Sequence, residues 1–351
     1  MLHVVDPINA RRYPSAIDVG DDVDPGDWLI GWLTSESVFD SVTAVGHRIV
    51  HGMHHALPAP ITTTLLAELR GFVGFAPEHL PAALRIVDAI RARHPDLPQV
   101  ACFDTAFHVD MPKVAQILPI PRRFEALGVR RYGFHGLSCE YLIDELERRA
   151  GVSVAHGRVI LAHLGHGASI TAVTGGRSVD TSMGFTPSSG VPMSTRSGDL
   201  DPGLVGYLAR VDAMTAEQFS AMANHEAGLL GISQTSGDMR ELLAHESTDV
   251  RAAEAIAFFC HQVRKWIGAM AAVLGGIDVL VFSGGIGENA PVIRARICAG
   301  LEHLGIGVAP AANEAGAPII SPATSILPVH VIATDEQRVI AKAVLRTLRD
   351  F

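Results

Sequence analysis

Val279-Leu280-Val281-Phe282-Ser283-Gly284-Gly285-Ile286-Gly287-Glu288-Asn289-Ala290 decides the reading of this chain, because a β-branched apolar run feeds straight into a glycine turn. Gly275-Gly276-Ile277-Asp278 isolates the run as a strand, and Val292, Ile293, Ile297, Leu301 and Leu304 recur after it at helical spacing. Strand, glycine turn and amphipathic helix together present bare backbone N–H groups to a phosphate. Glycine permits close approach, and the helix N-terminus adds its dipole and unpaired donors. Gly285-x-Gly287-x-x-Ala290 also satisfies a loose dinucleotide fingerprint. The acidic residue due about twenty positions later is missing, however, and only about sixty residues follow to complete a sheet. No Gly-x-x-x-x-Gly-Lys-Ser/Thr occurs, which excludes a P-loop.

Working outward, 351 residues with 48% hydrophobic and 19% charged content suffice for two well-filled α/β domains. A net charge of −9 argues against nucleic acid or an anionic membrane surface as partner, so any anionic substrate must be met by locally placed Arg and His. Cys102, Cys139, Cys260 and Cys298 lie far apart and form no Cys-x-x-Cys pair, which suits a reducing compartment and apolar filler roles. Met1 to Gly20 has no apolar core of a secretory signal, and His261, Arg264 and Lys265 interrupt the longest apolar helix, Ala252 to Leu274. A cytoplasmic protein is expected.

The pattern predicts strands at Val45 to Val50 and Gln99 to Asp104, helices at Thr64 to Arg70 and Ala82 to Ala92, and a helix from Ser138 to Arg149 capped by its own serine. After a loop at Gly151 to Gly157 the chain begins again. Strands are expected at Arg158 to His163, Ser169 to Val173 and Arg177 to Thr181, helices at Thr215 to Ala223 and Arg251 to Leu274, and a closing helix from Glu336 to Leu348. This places a boundary near residue 150 between two lobes.

Arginine holds oxyanions through a rigid fork that never loses its charge. Three sit in glycine-rich, loop-like settings: Arg48 in Gly46-His47-Arg48, Arg196 in Ser194-Thr195-Arg196-Ser197-Gly198-Asp199, and Arg240 in Gly237-Asp238-Met239-Arg240. Each taken alone could be a solvated surface charge. Arg196 stands out because no apolar period explains its segment, and irregular loops tend to carry function. His135 lies between glycines in Tyr132-Gly133-Phe134-His135-Gly136, a poor setting for a packing residue, and Asp104 ends a strand as either a cap or a site carboxylate. The run His47, His51, His54, His55 invites a metal reading, but His-Glu-x-x-His is absent and no cysteine is near, so spacing does not support zinc.

In this order, Val45-Gly46-His47-Arg48-Ile49-Val50-His51-Gly52, Phe103-Asp104-Thr105-Ala106-Phe107, Tyr132-Gly133-Phe134-His135-Gly136, Asp180-Thr181-Ser182-Met183-Gly184-Phe185-Thr186-Pro187, Thr195-Arg196-Ser197-Gly198-Asp199 and Gly284-Gly285-Ile286-Gly287-Glu288-Asn289 resemble the acetate kinase and propionate kinase family, from about Val42 to the end. The resemblance implies a two-lobed actin/hexokinase-like (ribonuclease H-like) fold and reversible ATP-dependent phosphorylation of a short carboxylate with Mg2+, in a homodimer. It implies Asp104, His135 and Arg196 as catalytic residues, Arg48 as the carboxylate holder, and Val50, Phe134 and Pro187 around the acyl methyl. His163, Leu164, Gly165, His166 and Gly167, Asp238, Met239 and Arg240, and Gly285, Ile286, Gly287, Glu288 and Asn289 would surround ATP or ADP. Glu336 would help place the magnesium ion.

The division that follows is an N-terminal substrate lobe, 1–150, completed by the helix at 336–351, and a C-terminal nucleotide lobe, 151–335. Family members open with a strand ending in Asn-x-Gly-Ser-Ser-Ser-x-Lys. Met1 to Ser41 contains no such turn: either the true start lies upstream of this Met1 or the first hairpin is lost, which leaves an N-terminal lobe truncated, with an impaired relative that binds nucleotide or a partner subunit as the alternative function. Glu78 stands where the family has an apolar residue near the acyl pocket, which predicts repulsion of a carboxylate.

Overall fold

The computed structural model describes residues 42–349, together with Gly31 and a strand pair before them, β1 (Val5–Asp6) and β2 (Arg11–Arg12). The expected loss of the first hairpin therefore falls outside the described residues, these few positions apart.

Two sheets organise the rest. In the first, β3 (Val45–Ile49), β4 (Ala59–Pro60) and β5 (Gln99–Phe103) lie in the order β3-β5-β4, with β3 parallel and β4 antiparallel to β5. The two-residue period of a strand gives β5 two buried faces. Ala101 and Phe103 join Leu65, Leu66 and Leu69 of α1 (Thr63–Gly71) and Leu80, Leu84 and Val87 of α2 (Leu80–Arg93). Val100 and Cys102 point the other way, toward Leu137 of α3 (Gly136–Ala150) and toward Val339, Ala343 and Val344 near the C-terminus.

The second sheet contains β6 (Val159–Leu164), β7 (Ala168–Thr174), β8 (Arg177–Thr181), β9 (Val279–Ser283) and β10 (Val329–Val331) in the order β10-β9-β6-β7-β8. An antiparallel meander, β6-β7-β8, is extended on the free side of β6 by parallel β9 and β10, which is the ribonuclease H-like order. Its alternating side chains bury Ile160, Ala162, Leu280 and Phe282 with Phe259, Val263 and Ile267 of α4 (Val250–Leu274). Val159, Leu161, Val279 and Val281 pack with Leu142, Ile143 and Leu146 of α3 on the opposite face. Helix α3 thus touches both sheets, and the mixed α/β fold with two sheets is as expected.

Three local readings are corrected. The single amphipathic helix expected after Gly284 is two, α5 (Gly284–Asn289) and α6 (Pro291–Cys298), because Pro291 lacks an N–H and starts a helix instead of continuing one. Helix α3 begins at Gly136, two residues before the predicted serine cap. Its N-cap is His135, in the left-handed region at φ 60°, and the Ser138 hydroxyl instead shares hydrogen bonds of 2.8 Å with His163 Nδ1 and Thr334 Oγ1. The helix expected from Thr215 to Ala223 ends at Ala221 and passes into a π-helical turn, Met222–Glu226.

The last helix, α7 (Glu336–Arg349), lies directly over β3. A Cβ on Gly46 would stand 2.3 Å from Ile340 Cγ2 and 2.8 Å from Val344 Cγ2, so the absence of a side chain there lets helix meet strand. Gly46→Val should destabilise the chain by about 1–3 kcal/mol through overpacking. Gly268→Ala, on α4 with nothing within 4 Å of the new methyl, should stabilise it by about 0.5–1 kcal/mol. Urea midpoints moving in the same direction for both variants would contradict this packing.

Candidate active site

Asp104 follows β5 directly and is 1% exposed. An isolated carboxylate at that depth would be costly, and the structure surrounds it with donors. Arg48, from the adjacent strand, reaches it twice, Nη2 to Oδ2 at 2.7 Å and Nε to Oδ1 at 3.3 Å. The His135 N–H donates to Oδ2 at 3.2 Å, and the Gly136 N–H donates to the Asp104 carbonyl at 2.8 Å. Gly136 is required by this approach, since a Cβ would sit 2.3 Å from that carbonyl oxygen. Glu336, the first residue of α7, places Oε2 3.5 Å from Arg48 Nε. Burial raises the Glu336 pKa, Arg48 opposes the rise, and Asp104 adds to it.

The left-handed turn at His135 aims its ring across to the second sheet. Nδ1 shares a 3.0 Å hydrogen bond with Ser169 Oγ on β7, and the ring lies 4.3 Å from that of His163 at the end of β6. Burial drives the His135 pKa well below its ordinary value, helped by His163, Arg48 and Arg196, so the ring is neutral at pH 7. Gly167 marks the convergence. A Cβ there would stand 3.0 Å from His135 Nε2 and 3.5 Å from Arg196 Nη1.

Arg196 is held by its own loop: Nη1 donates to the Pro187 carbonyl at 3.1 Å, and its backbone carbonyl accepts from Met193 N–H. The π-helical turn secures this loop, with Ser197 N–H donating to Ala223 O and Thr195 Oγ1 to Asn224 O. Among the described residues no carboxylate pairs with the half-buried Arg196. Burial and then the charge of Arg48 lower its pKa. A guanidinium with no carboxylate partner, within the field of a second one, is suited to hold an oxyanion.

Two cavities meet here at His166 and Thr195. The larger, about 770 Å³, is lined by Gly165, His166, Asp238, Met239, Arg240, Gly285, Ile286 and Asn289 of the residues singled out from sequence. His163, Leu164, Gly167, Gly287 and Glu288 are absent from that lining. Leu164 is fully buried, and Gly287 packs against Phe282 and Ala162. Glu288 turns inward, where Oε1 accepts from Gly284 N–H at 2.8 Å and Thr334 N–H at 3.2 Å. The Gly284 amide is therefore satisfied within the turn, contrary to the expectation that this turn leaves its first donor bare. Ser194, Thr195 and Gly237 also line it; the sequence reading assigns them no role, although each lies within a segment quoted for its arginine.

The smaller cavity, about 240 Å³, is lined by Phe75, His79, Pro187, Arg196 and others. Val50 and Phe134 belong to the apolar cluster beside it and not to its wall. His51, fully buried, sits edge-on to Tyr132 at 4.3 Å and Phe134 at 5.7 Å. Glu78 lines this cavity, and its Oε2 shares a 3.0 Å hydrogen bond with Nε2 of His225, another lining residue.

The sequence model of the acetokinase family matches residues 30–342. An acetate kinase of Rhodopseudomonas palustris is 45% identical over 98% of this chain and 87% of its own length. A propionate kinase of Citrobacter rodentium is 41% identical over 96% of this chain and 85% of its own. Among solved structures, a propionate kinase from Francisella tularensis superposes with a TM-score of 0.89 at 32% identity, covering 97% of this chain and 94% of that one.

The site also makes stability pH-dependent. Burial lowers the pKa values of His47, His51, His108 and His163 to about 4, and that of His135 well below 6.5. Unfolding restores the ordinary value of 6.5, so below it the unfolded chain binds more protons. Stability is full above pH 6.5 and is lost as pH falls toward 4, by up to about 1.4 kcal/mol per pH unit for each ring. Urea midpoints that do not move between pH 7.5 and 5 would contradict neutral burial of these rings.

Proposed function

We infer the activity from one premise: the chain belongs to the acetokinase family. It is a carboxylate kinase, phosphorylating acetate or propionate with ATP, reversibly. A carboxylate oxygen attacks the γ-phosphorus, the bond to ADP breaks, and an acyl phosphate leaves. Homology over nearly the whole chain does not favour the alternative of an impaired relative.

The residue roles are our proposal, and the unpaired Arg196 facing Arg48 carries it. A short carboxylate is already ionised at pH 7, so the acceptor needs no base. Catalysis reduces to in-line positioning and neutralisation of charge. Arg48 holds the carboxylate, Arg196 and neutral His135 donate to the transferring phosphoryl oxygens, and Asp104 aligns Arg48 instead of removing a proton. Val50, Phe134 and Pro187 border the acyl group, and the nucleotide occupies the larger cavity, with His163 through Gly167, Asp238 to Arg240 and Gly285 to Asn289 around or beneath it. Glu288 and Gly287 act there as supports of the turn. Asp104 and Glu336 offer hard carboxylate oxygens beside Arg48, a donor set that fits Mg2+ shared with nucleotide phosphates. Bound there, the ion supplies further neutralisation of phosphate charge.

The same reading divides the chain into the 1–150 lobe completed by the C-terminal helix and the 151–335 nucleotide lobe, in a cytoplasmic homodimer. The helix Gly203–Val211 supports dimerisation, because Leu204, Val205, Tyr207 and Val211 are all exposed and none of its residues is buried. No helix among the described residues is long and apolar enough to cross a membrane.

Hydroxamate formation from acetate or propionate with ATP and Mg2+ tests the activity. Arg196→Ala should lower kcat by about 10²–10³ with a smaller change in the KM for ATP. Arg48→Ala should act mainly on the KM of the acid. An Asp104→Asn enzyme that keeps most of its turnover would remove that carboxylate from any essential role. Tyr207→Glu should sediment as a monomer; an unchanged dimer would move the interface elsewhere.

A further inference from the structure

The histidine run that begins in β3 divides in space. His47 Nε2 is bonded to Gln99 at 2.8 Å and His51 lies in the aromatic cluster, whereas His54 and His55 lie on the face of the first sheet where Phe103 meets α1. A short turn holds them, closed by the His55 N–H donating to Gly52 O at 2.8 Å. The His55 ring stacks on Phe103 at 4.8 Å and 16°, and the His54 ring stacks on His55 at 4.5 Å and 27°. Stacking brings both Nε2 atoms to one carboxylate, that of Glu68 on α1, at 3.5 Å from His54 and 3.3 Å from His55. Glu68 lies thirteen and fourteen residues beyond the two histidines, which is why the His-Glu-x-x-His spacing gave no sign of it.

The geometry points to a binding site for a divalent first-row transition ion, formed by His54, His55 and Glu68 and separate from the phosphoryl-transfer centre. All three ligand atoms lie within 4.8 Å of one another. A tetrahedral ion with ligand bonds of about 2.0–2.1 Å separates its donors by about 3.3 Å, close to the spacings found between each imidazole and the carboxylate. His55 Nε2 is shielded from solvent and makes no hydrogen bond, although Glu68 Oε2 lies 3.3 Å away, so this polar atom is left unsatisfied beside the carboxylate. Two imidazole nitrogens and one carboxylate oxygen suit Zn2+, Co2+ or Ni2+ and not Mg2+, which demands oxygen donors. His54, 72% exposed, can turn its ring to complete the geometry and leaves a further position to water. An ion there would tether α1 to the turn that carries His51 and presses Gly52 against Phe103, next in sequence to Asp104.

Calorimetric titration of the tag-free chain with Zn2+, and visible spectroscopy with Co2+, both in millimolar Mg2+, test the site. Expected are one tight equivalent and the intense bands of tetrahedral Co2+. His54→Ala and Glu68→Gln, at accessible positions, should weaken binding about tenfold or more with unchanged circular dichroism. His156→Ala, which removes a lone exposed His–Glu pair, should leave it intact. Absence of binding by the native chain, identical isotherms in all variants, or equal loss in His156→Ala would overturn the site.

Discussion

The bidentate pair between Arg48 and buried Asp104 is the interaction on which the rest of the site depends. It joins the ends of two parallel strands, and the same aspartate captures the His135 amide through its side chain and the Gly136 amide through its backbone. Those four bonds fix where α3 starts. Because α3 packs against both sheets, they also fix how the sheets meet. An ion pair with one partner buried adds little net stability against its desolvation cost, but its geometry is unforgiving, and here the geometry orients a guanidinium.

Charge is distributed sparingly in the cleft. Arg196 has no counter-ion among the described residues, and His135 and His163 are held neutral by burial. A neutral imidazole can donate to a phosphoryl oxygen without adding another proton-linked charge to a crowded site. The protein carries a net charge of −9, so this small basic cleft stands against a repulsive background. Substrate anions are therefore held by contact more than by long-range steering.

Several residues of the family motifs serve their neighbours and not the cavities. Glu288 braces Gly284 and Thr334, Ser138 ties His163 to Thr334, and Gly287 gives the turn room over β6. They connect the glycine turn after β9 with the segment leading into α7. A change at any of them would be felt through position, at some distance from the reacting atoms.

The sequence by itself determined the alternation of strands and helices, the glycine turn after β9 and the family, and it singled out Arg48, Asp104, His135 and Arg196, because hydrophobic period, turn chemistry and motif order are local properties. It could not determine that Ser138 forgoes capping, that Pro291 divides a helix, that Glu288 turns inward or that Glu68 meets His54 and His55. Those outcomes depend on which donors and acceptors long-range packing brings within about 3 Å, and a side chain's nearest partner through space is not written in its spacing along the chain.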